Sequence, residues 1–184
     1  NFDIIGVLSG LTLIGPLAAI VAIIFIKLLL TVNKFPNYAG LKNWQTPIIA
    51  GLACGITGLF LDEILGLGTK TLLDVLTINF DVSFLIILLL GKLILTSLCI
   101  GLGFFGGVFS PALFLGALVG ALIYNLDFLN LDDNHLSVLA VSGMAAVSSS
   151  VIGAPITAII LVLELTGSYD YAIAATLPVA ICTF

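Results

Sequence analysis

The segment Gly103-Phe104-Phe105-Gly106-Gly107-Val108-Phe109-Ser110-Pro111 holds the residues whose types and spacing could do chemistry. Pro111 is pre-organised for a first helical turn and Ser110 is a favoured cap, so a helix is predicted to start here. Gly106 and Gly107 permit close or strained backbone just before it. The first N–H groups of a helix have no acceptor within it, and the macrodipole adds about +0.5 of an elementary charge at that end. An anion is what such a helix start can hold. The same residues also suit an ordinary capped membrane helix, and the segment by itself leaves both readings open.

The remaining chemistry-bearing residues are scattered. Lys92 lies inside an apolar span and could attract anions; snorkelling, or pairing with Asp62, Glu63 or another carboxylate, is the simpler expectation. Glu164 is expected in the last turn of a short helix, where the dipole disfavours it, accepting hydrogen bonds from the turn Gly167–Tyr169. His135, beside Asp132 and Asp133, reads as a solvated loop residue. Cys54, Cys99 and Cys182 are an odd number, each in an apolar stretch, so free buried thiols are expected. Asp62-Glu63 has no His or Cys at metal-ligand spacing, and no Ser/His/Asp set points to hydrolysis. No catalytic residue, metal site or cofactor is assigned, and an enzyme is not expected.

The elements that must position these residues are set by composition. Of 184 residues 61% are apolar and 8% charged, with five Lys, no Arg and ten acidic residues. A soluble domain carries about 25% charge, so this chain cannot cover itself with a solvated surface. With a mean hydropathy of +1.33, it reads as a multi-pass integral membrane protein in a lipid bilayer. A secreted disulfide scaffold and a soluble enzyme are excluded. So is nucleic acid as a partner, because no basic face exists to neutralise phosphates.

Along the chain, Ile4–Leu30 is an apolar run of about 40 Å as a helix. That exceeds a hydrocarbon core of roughly 30 Å, so tilting or a kink at Gly15-Pro16 is expected. Thr31–Gln45 is predicted to be a polar loop, and Lys27, Lys34 and Lys42 around it place it on the cytoplasmic side. Pro47–Leu65 is a second segment rich in small residues. Asp62–Asp81 reads as an interfacial or re-entrant connection with a short amphipathic piece at Leu72–Leu76. Phe84–Leu102 is a third span, followed by an apolar run from Ala112 to about Leu126 and an acidic loop, Asp127–His135, expected outside. Leu136–Val151, about 24 Å, and Pro155–Thr166, about 18 Å, are predicted to be separate helices broken at Ile152–Ala154, neither crossing a bilayer alone. Short apolar helices interrupted by Gly and Pro are how transporters place irregular backbone at membrane depth.

Two motifs carry a resemblance. Gly107–Pro111, extended by Leu115-Gly116-Ala117-Leu118-Val119-Gly120, is similar to the third chloride-binding segment of the CLC family of chloride channels and chloride/proton antiporters. Gly143-Met144-Ala145-Ala146, Ala154-Pro155-Ile156-Thr157-Ala158-Ile159 and Leu163-Glu164-Leu165-Thr166-Gly167-Ser168-Tyr169 resemble a later stretch of that family. The resemblance implies an all-α membrane domain of tilted and broken helices, of which residues 1–184 are most of the second of two inverted halves, truncated at both ends. The family's inner serine and gating glutamate would precede this chain, and its late tyrosine would follow Phe184. The implied anion-binding residues are Gly107, Val108, Phe109 and Ser110, with the coordinating amides on Val108 and Phe109. Chloride is the implied transported ion, with protons in the exchangers, and no cofactor. A homodimer is implied through the helices equivalent to Pro155–Leu165 and Tyr171–Phe184, where Ala158, Ile159, Leu161, Val162, Ala172, Ala175 and Ile181 suit apolar packing. Gly103-Phe104-Phe105-Gly106 departs from the small residues usual there, which puts the width of the ion path in question. Two other classes compete: a membrane scaffold subunit without a pathway, and a cation-coupled solute carrier, which predicts a buried carboxylate beside unwound backbone.

Overall fold

A computed structural model describes residues 4–38, 40, 42, 44–66, 68–78, 80–126 and 135–183; the acidic stretch 127–134 lies outside them. Among the described residues the elements are helices and turns. They are α1 (Ile4–Tyr38), α2 (Gln45–Phe60), a 3-10 turn (Asp62–Ile64), α3 (Thr69–Thr77), α4 (Val82–Gly101), α5 (Phe109–Tyr124), α6 (His135–Ile152), α7 (Pro155–Thr166) and α8 (Tyr169–Thr183). α1, α4 and α6 are long and apolar enough to cross a membrane, whereas α2, α5 and α7 are apolar but shorter.

α6 is the axis of the assembly. From His135 to Ser149 it is buried along almost its whole length, with α5 packed most extensively against it and α1 and α8 on its other sides. α1 and α8 each contact α6 and one another, α7 leans on α6 and α8, and α2 and α3 lie outermost. Helices meeting in lipid gain little from hydrophobic transfer and rely on close van der Waals contact, which small residues permit. The α5–α6 crossing shows how close. A Cβ at Gly116 would collide with the backbone of Gly143 and Met144, one at Gly120 with the backbone of Leu139 and Ala140, and one at Gly143 with the Gly116 carbonyl.

Two expectations are corrected. The polar loop predicted from Thr31 begins later, because α1 continues through Pro36 to Tyr38. The extension is held by packing: Val32 and the Asn33 backbone lie on buried Gly101, where a Cβ would stand 2.6 Å from Val32 Cγ1. α1 runs unbroken through Gly15-Pro16, where Gly15 is buried against Ile181 of α8 and Pro16 is exposed. His135 is not a loop residue but the buried first residue of α6.

The predicted break between α6 and α7 is present, displaced by one residue because Ile152 belongs to α6. Gly153 takes φ +76°, and the Gly153 and Ala154 amides both donate to the Ser149 carbonyl, at 2.7 and 3.2 Å. Pro155 then opens α7 without forfeiting a hydrogen bond. α7, at 12 residues or about 18 Å, is too short to span. α6 is not: at 18 residues, about 27 Å, it is long enough, contrary to the expectation for Leu136–Val151.

The crossing yields a test. Gly120→Ala should cost roughly 1–3 kcal/mol, because backbone on both sides cannot move aside cheaply. Gly55→Ala, with open space around Gly55, should be neutral or slightly stabilising. Thermal midpoints of the detergent-solubilised variants decide it, and equal midpoints would mean that α5 and α6 lie farther apart.

Candidate anion site

α5 starts two residues earlier than its sequence announces. Val108 is the N-cap, with φ −80° and ψ −15° and no side-chain capping bond, so Phe109, Ser110 and Pro111 form the first turn. Ser110 is therefore not the cap. A proline is tolerated anywhere in a first turn, since those N–H groups have no acceptor in the helix, and Pro111 is accommodated as its third residue. The first bond of the helix runs from the Ala112 amide to the Val108 carbonyl at 3.1 Å. The amides left without an acceptor in the helix are those of Val108, Phe109 and Ser110, and Pro111 has none to offer.

The approach to this end is tight. The Gly103 and Phe104 amides close the end of α4 by donating to the Ile100 and Cys99 carbonyls, at 3.1 and 2.9 Å. Gly103 takes φ +101°, the left-handed region that only glycine adopts readily. The strained position expected at Gly106 or Gly107 is thus at Gly103. Neither of the later glycines has a positive φ, and a Cβ at Gly107 would meet open space.

A cleft of about 450 Å³ opens beside the start of α5. Gly106, Gly107, Phe109, Ser110 and Pro111 line it from one side; Cys54 of α2, Gly66, and Lys92 and Cys99 of α4 line it from others. Of the four candidate residues, Gly107, Phe109 and Ser110 reach the cleft, while Val108 packs against the core shared by α1, α5 and α6. Phe104 lies toward Gly51, and Phe105 is fully exposed; neither lines the cleft, so the aromatic pair does not narrow it.

Lys92 is only 3% exposed, and it neither snorkels nor pairs with Glu63. Its Nζ donates to the Ile64 carbonyl at 2.8 Å and to the Gly66 carbonyl at 2.8 Å, and stands 4.9 Å from the Phe114 ring centre. The 3-10 turn and the left-handed Gly66 leave those carbonyls free of helical bonds, so the ammonium satisfies backbone that is irregular at depth. Lys92 thus finds backbone carbonyls of the predicted segment, and the side chain of Asp62, the other partner named from sequence, lies outside the described residues.

The second helix break adjoins the first. Phe109 shares a small cavity of about 50 Å³ with Ser148 of α6, Ala154 at the break, and Thr157, Ala158 and Leu161 of α7. The α5 start and the α6–α7 break therefore meet at Phe109, a juxtaposition no local pattern signals. Glu164 is exposed and does not close the turn after α7. Gly167, in the left-handed region, donates its amide to the Leu163 carbonyl at 2.8 Å, and the Ser168 amide donates to Thr166 Oγ1 at 3.3 Å.

Residues 6–184 match the family described as voltage gated chloride channel. An H(+)/Cl(-) exchange transporter ClcA from Vibrio parahaemolyticus is 37% identical over 164 residues, covering 85% of this chain and 35% of the relative. ClcA of Vibrio vulnificus is 35% identical over 164 residues, with the same coverage. ClcA of Salmonella agona is 33% identical over 174 residues, covering 91% of this chain and 35% of the relative. The chain thus spans about a third of the length of these curated relatives.

The Lys92 geometry predicts its own mutational cost. Lys92→Met strands the Ile64 and Gly66 carbonyls, at about 1–3 kcal/mol for each one left unpaired. A lower thermal midpoint and faster amide exchange over residues 64–68 should follow. Unchanged exchange there would show that the ammonium does not hold the segment.

Proposed function

The chain belongs to the CLC family of chloride channels and chloride/proton exchangers, and from that premise we propose that it supplies one half of a transmembrane chloride pathway, with the anion held at the start of α5. The observation that carries this reading is the set of amides at Val108, Phe109 and Ser110, without acceptors in the helix, beside a cleft that also holds the buried Lys92 ammonium. Two charge-assisted hydrogen bonds contribute roughly 1.5–3 kcal/mol each, and the helix dipole up to about 2 kcal/mol. Together they offset much of an anion's desolvation cost of several kcal/mol. Partial compensation suits transport, because an ion must leave as well as enter.

The relatives are named exchange transporters, which favours proton-coupled exchange over a channel. A cation-coupled carrier fits less well: among the described residues the buried charged side chain outside α6 is Lys92, a cation, and no carboxylate is buried. Within this reading the chain is the second of two inverted halves, and Lys27, Lys34 and Lys42 put the α1–α2 connection on the cytoplasmic side. The homodimer uses α7 and α8, but not through all the residues the sequence nominated. Ala158, Val162, Ala172 and Ala175 are buried within the chain and Ile181 packs on Gly15 of α1, whereas Ile156, Ile160, Leu165 and Ile173 are exposed and present the free face.

Phe109→Pro should abolish halide binding and flux, because it removes a donor and pushes Val108 out of its conformation. Val108→Ile keeps the amide and should be nearly silent, and Gly107→Ala should be mild because its backbone angle is ordinary. Bromide titration calorimetry and chloride efflux from proteoliposomes measure both, and undiminished flux in Phe109→Pro would overturn the helix-start site. For the dimer, cysteines placed at Ile160 or Ile173 should cross-link two copies, while one at Ala175 should not. Cross-linking confined to Ala175 would place the interface elsewhere.

A further inference from the structure

A second cavity, of about 430 Å³, lies around α3, and its walls combine groups of opposite charge. α3 opens on Gly68, which takes φ +63° and provides no side-chain cap, and the first bond of the helix runs from the Leu72 amide to the Gly68 carbonyl at 2.8 Å. The amides of Thr69, Lys70 and Thr71 therefore have no acceptor in the helix, and these residues line the cavity. With the Lys70 ammonium they suit an anionic oxygen group. Thr71 supplies an independent sign. It is only 8% exposed, yet its hydroxyl makes no hydrogen bond among the described residues and is open to the cavity rather than sealed in the core. Hydroxyls buried to that degree are ordinarily paired, and the cavity is the side from which a partner can come. Across the same space stand Glu63 and Asp74, both half-buried, and the Phe80 and Phe84 rings, whose centroids are 5.4 Å apart. Carboxylates beside aromatic rings suit an ammonium.

We propose that this cavity binds the headgroup of a phosphoethanolamine lipid, its phosphate on the α3 amides, Thr71 and Lys70, and its ammonium between Glu63, Asp74 and the Phe80–Phe84 pair. A phosphate alone would meet two carboxylates with one ammonium to offset them, and an amine alone would leave the α3 start unmatched. A molecule carrying both charges satisfies both walls. Ethanolamine is favoured over choline because a carboxylate can accept hydrogen bonds only from a cation that still carries N–H groups. A lipid is favoured over a free phosphate ester by position. Phe80 and Phe84 flank the first turn of α4, a helix long enough to cross a membrane, which puts the cavity where a span leaves the hydrocarbon. From there an exposed apolar row, Val82, Ile86, Leu90 and Ile94, runs along α4 and offers acyl chains a surface. The proposal is independent of the anion reading at α5.

The test titrates the delipidated, detergent-solubilised protein with phosphatidylethanolamine, phosphatidylcholine and phosphatidylglycerol of identical acyl chains, and native mass spectrometry counts the bound lipid. Phosphatidylethanolamine should bind about tenfold tighter than either of the others, the loss expected when a charge-assisted hydrogen bond is forfeited. Equal affinities in the wild type, a result that needs no variant to fold, overturn the assignment. Thr71→Val, which removes the hydroxyl at nearly constant shape, and Lys70→Gln should each weaken phosphatidylethanolamine binding by about tenfold on the same grounds. Glu63→Gln combined with Asp74→Asn should abolish the preference over phosphatidylglycerol. A preference retained in that double variant, or affinity unchanged in both Thr71→Val and Lys70→Gln, places the lipid elsewhere and overturns the site. Water-soluble phosphoethanolamine and inorganic phosphate are added as competitors and should displace the lipid poorly. Displacement by phosphoethanolamine at the lipid's own concentration would assign the cavity to the free ester, and equal displacement by phosphate would reduce it to an anion site; either overturns the lipid reading. None of these readouts depends on chloride, so failure of the α5 site leaves them unchanged.

Discussion

The backbone contact between α5 and α6 is the constraint from which the rest of the architecture follows. At Gly116, Gly120 and Gly143 no side chain stands between the helices, so that main chain lies on main chain there. In lipid, where burying a leucine against another helix gains little over leaving it in acyl chains, this intimacy is what holds two apolar helices in one relative position. It has consequences at both ends. α5 is shorter than the helices long enough to cross a membrane, so its place is set by the crossing rather than by its own length.

Placing a helix start at depth creates a demand for acceptors that lipid cannot meet. The fold handles such irregular backbone in three ways. At the end of α4 and at the α6–α7 break, left-handed glycines turn the chain so that amides find nearby carbonyls. At the segment following the 3-10 turn, the carbonyls of Ile64 and Gly66 are taken by the Lys92 ammonium, reaching from α4. At α5 the amides of Val108, Phe109 and Ser110 have no acceptor within the helix, and a cleft lies beside them. Three of these irregular places are sealed by the protein itself. At the α5 start the helix itself supplies no acceptor.

Phe109 joins the parts. Its amide belongs to the helix start, and the residue lines both the cleft and the small cavity against α7. Lys92 has a comparable double role, holding the 62–66 segment while contributing a positive charge to the cleft wall. Neither role is visible from a residue's own stretch of chain.

What the sequence determined by itself is local. Runs of apolar residues specified the spans, Gly153-Ala154-Pro155 specified a break, and Ser110-Pro111 specified a helix start with free donors nearby, because each depends on backbone bonds between residues four apart or fewer. Even the residue count at that start was off by two, since a proline fits any of the first three positions. What the tertiary structure decided is every partnership across the chain: the carbonyls for Lys92, 26 and 28 positions away, the neighbours of Phe109, and the end of α1 on Gly101. It also decided which face of each helix turns inward. A helix in a soluble protein advertises that face by a polar stripe on the other side, but α5, α7 and α8 are apolar nearly all round. Ala158 and Ile160 therefore look alike in sequence, and only the packing of α7 against α6 and α8 buries one and exposes the other.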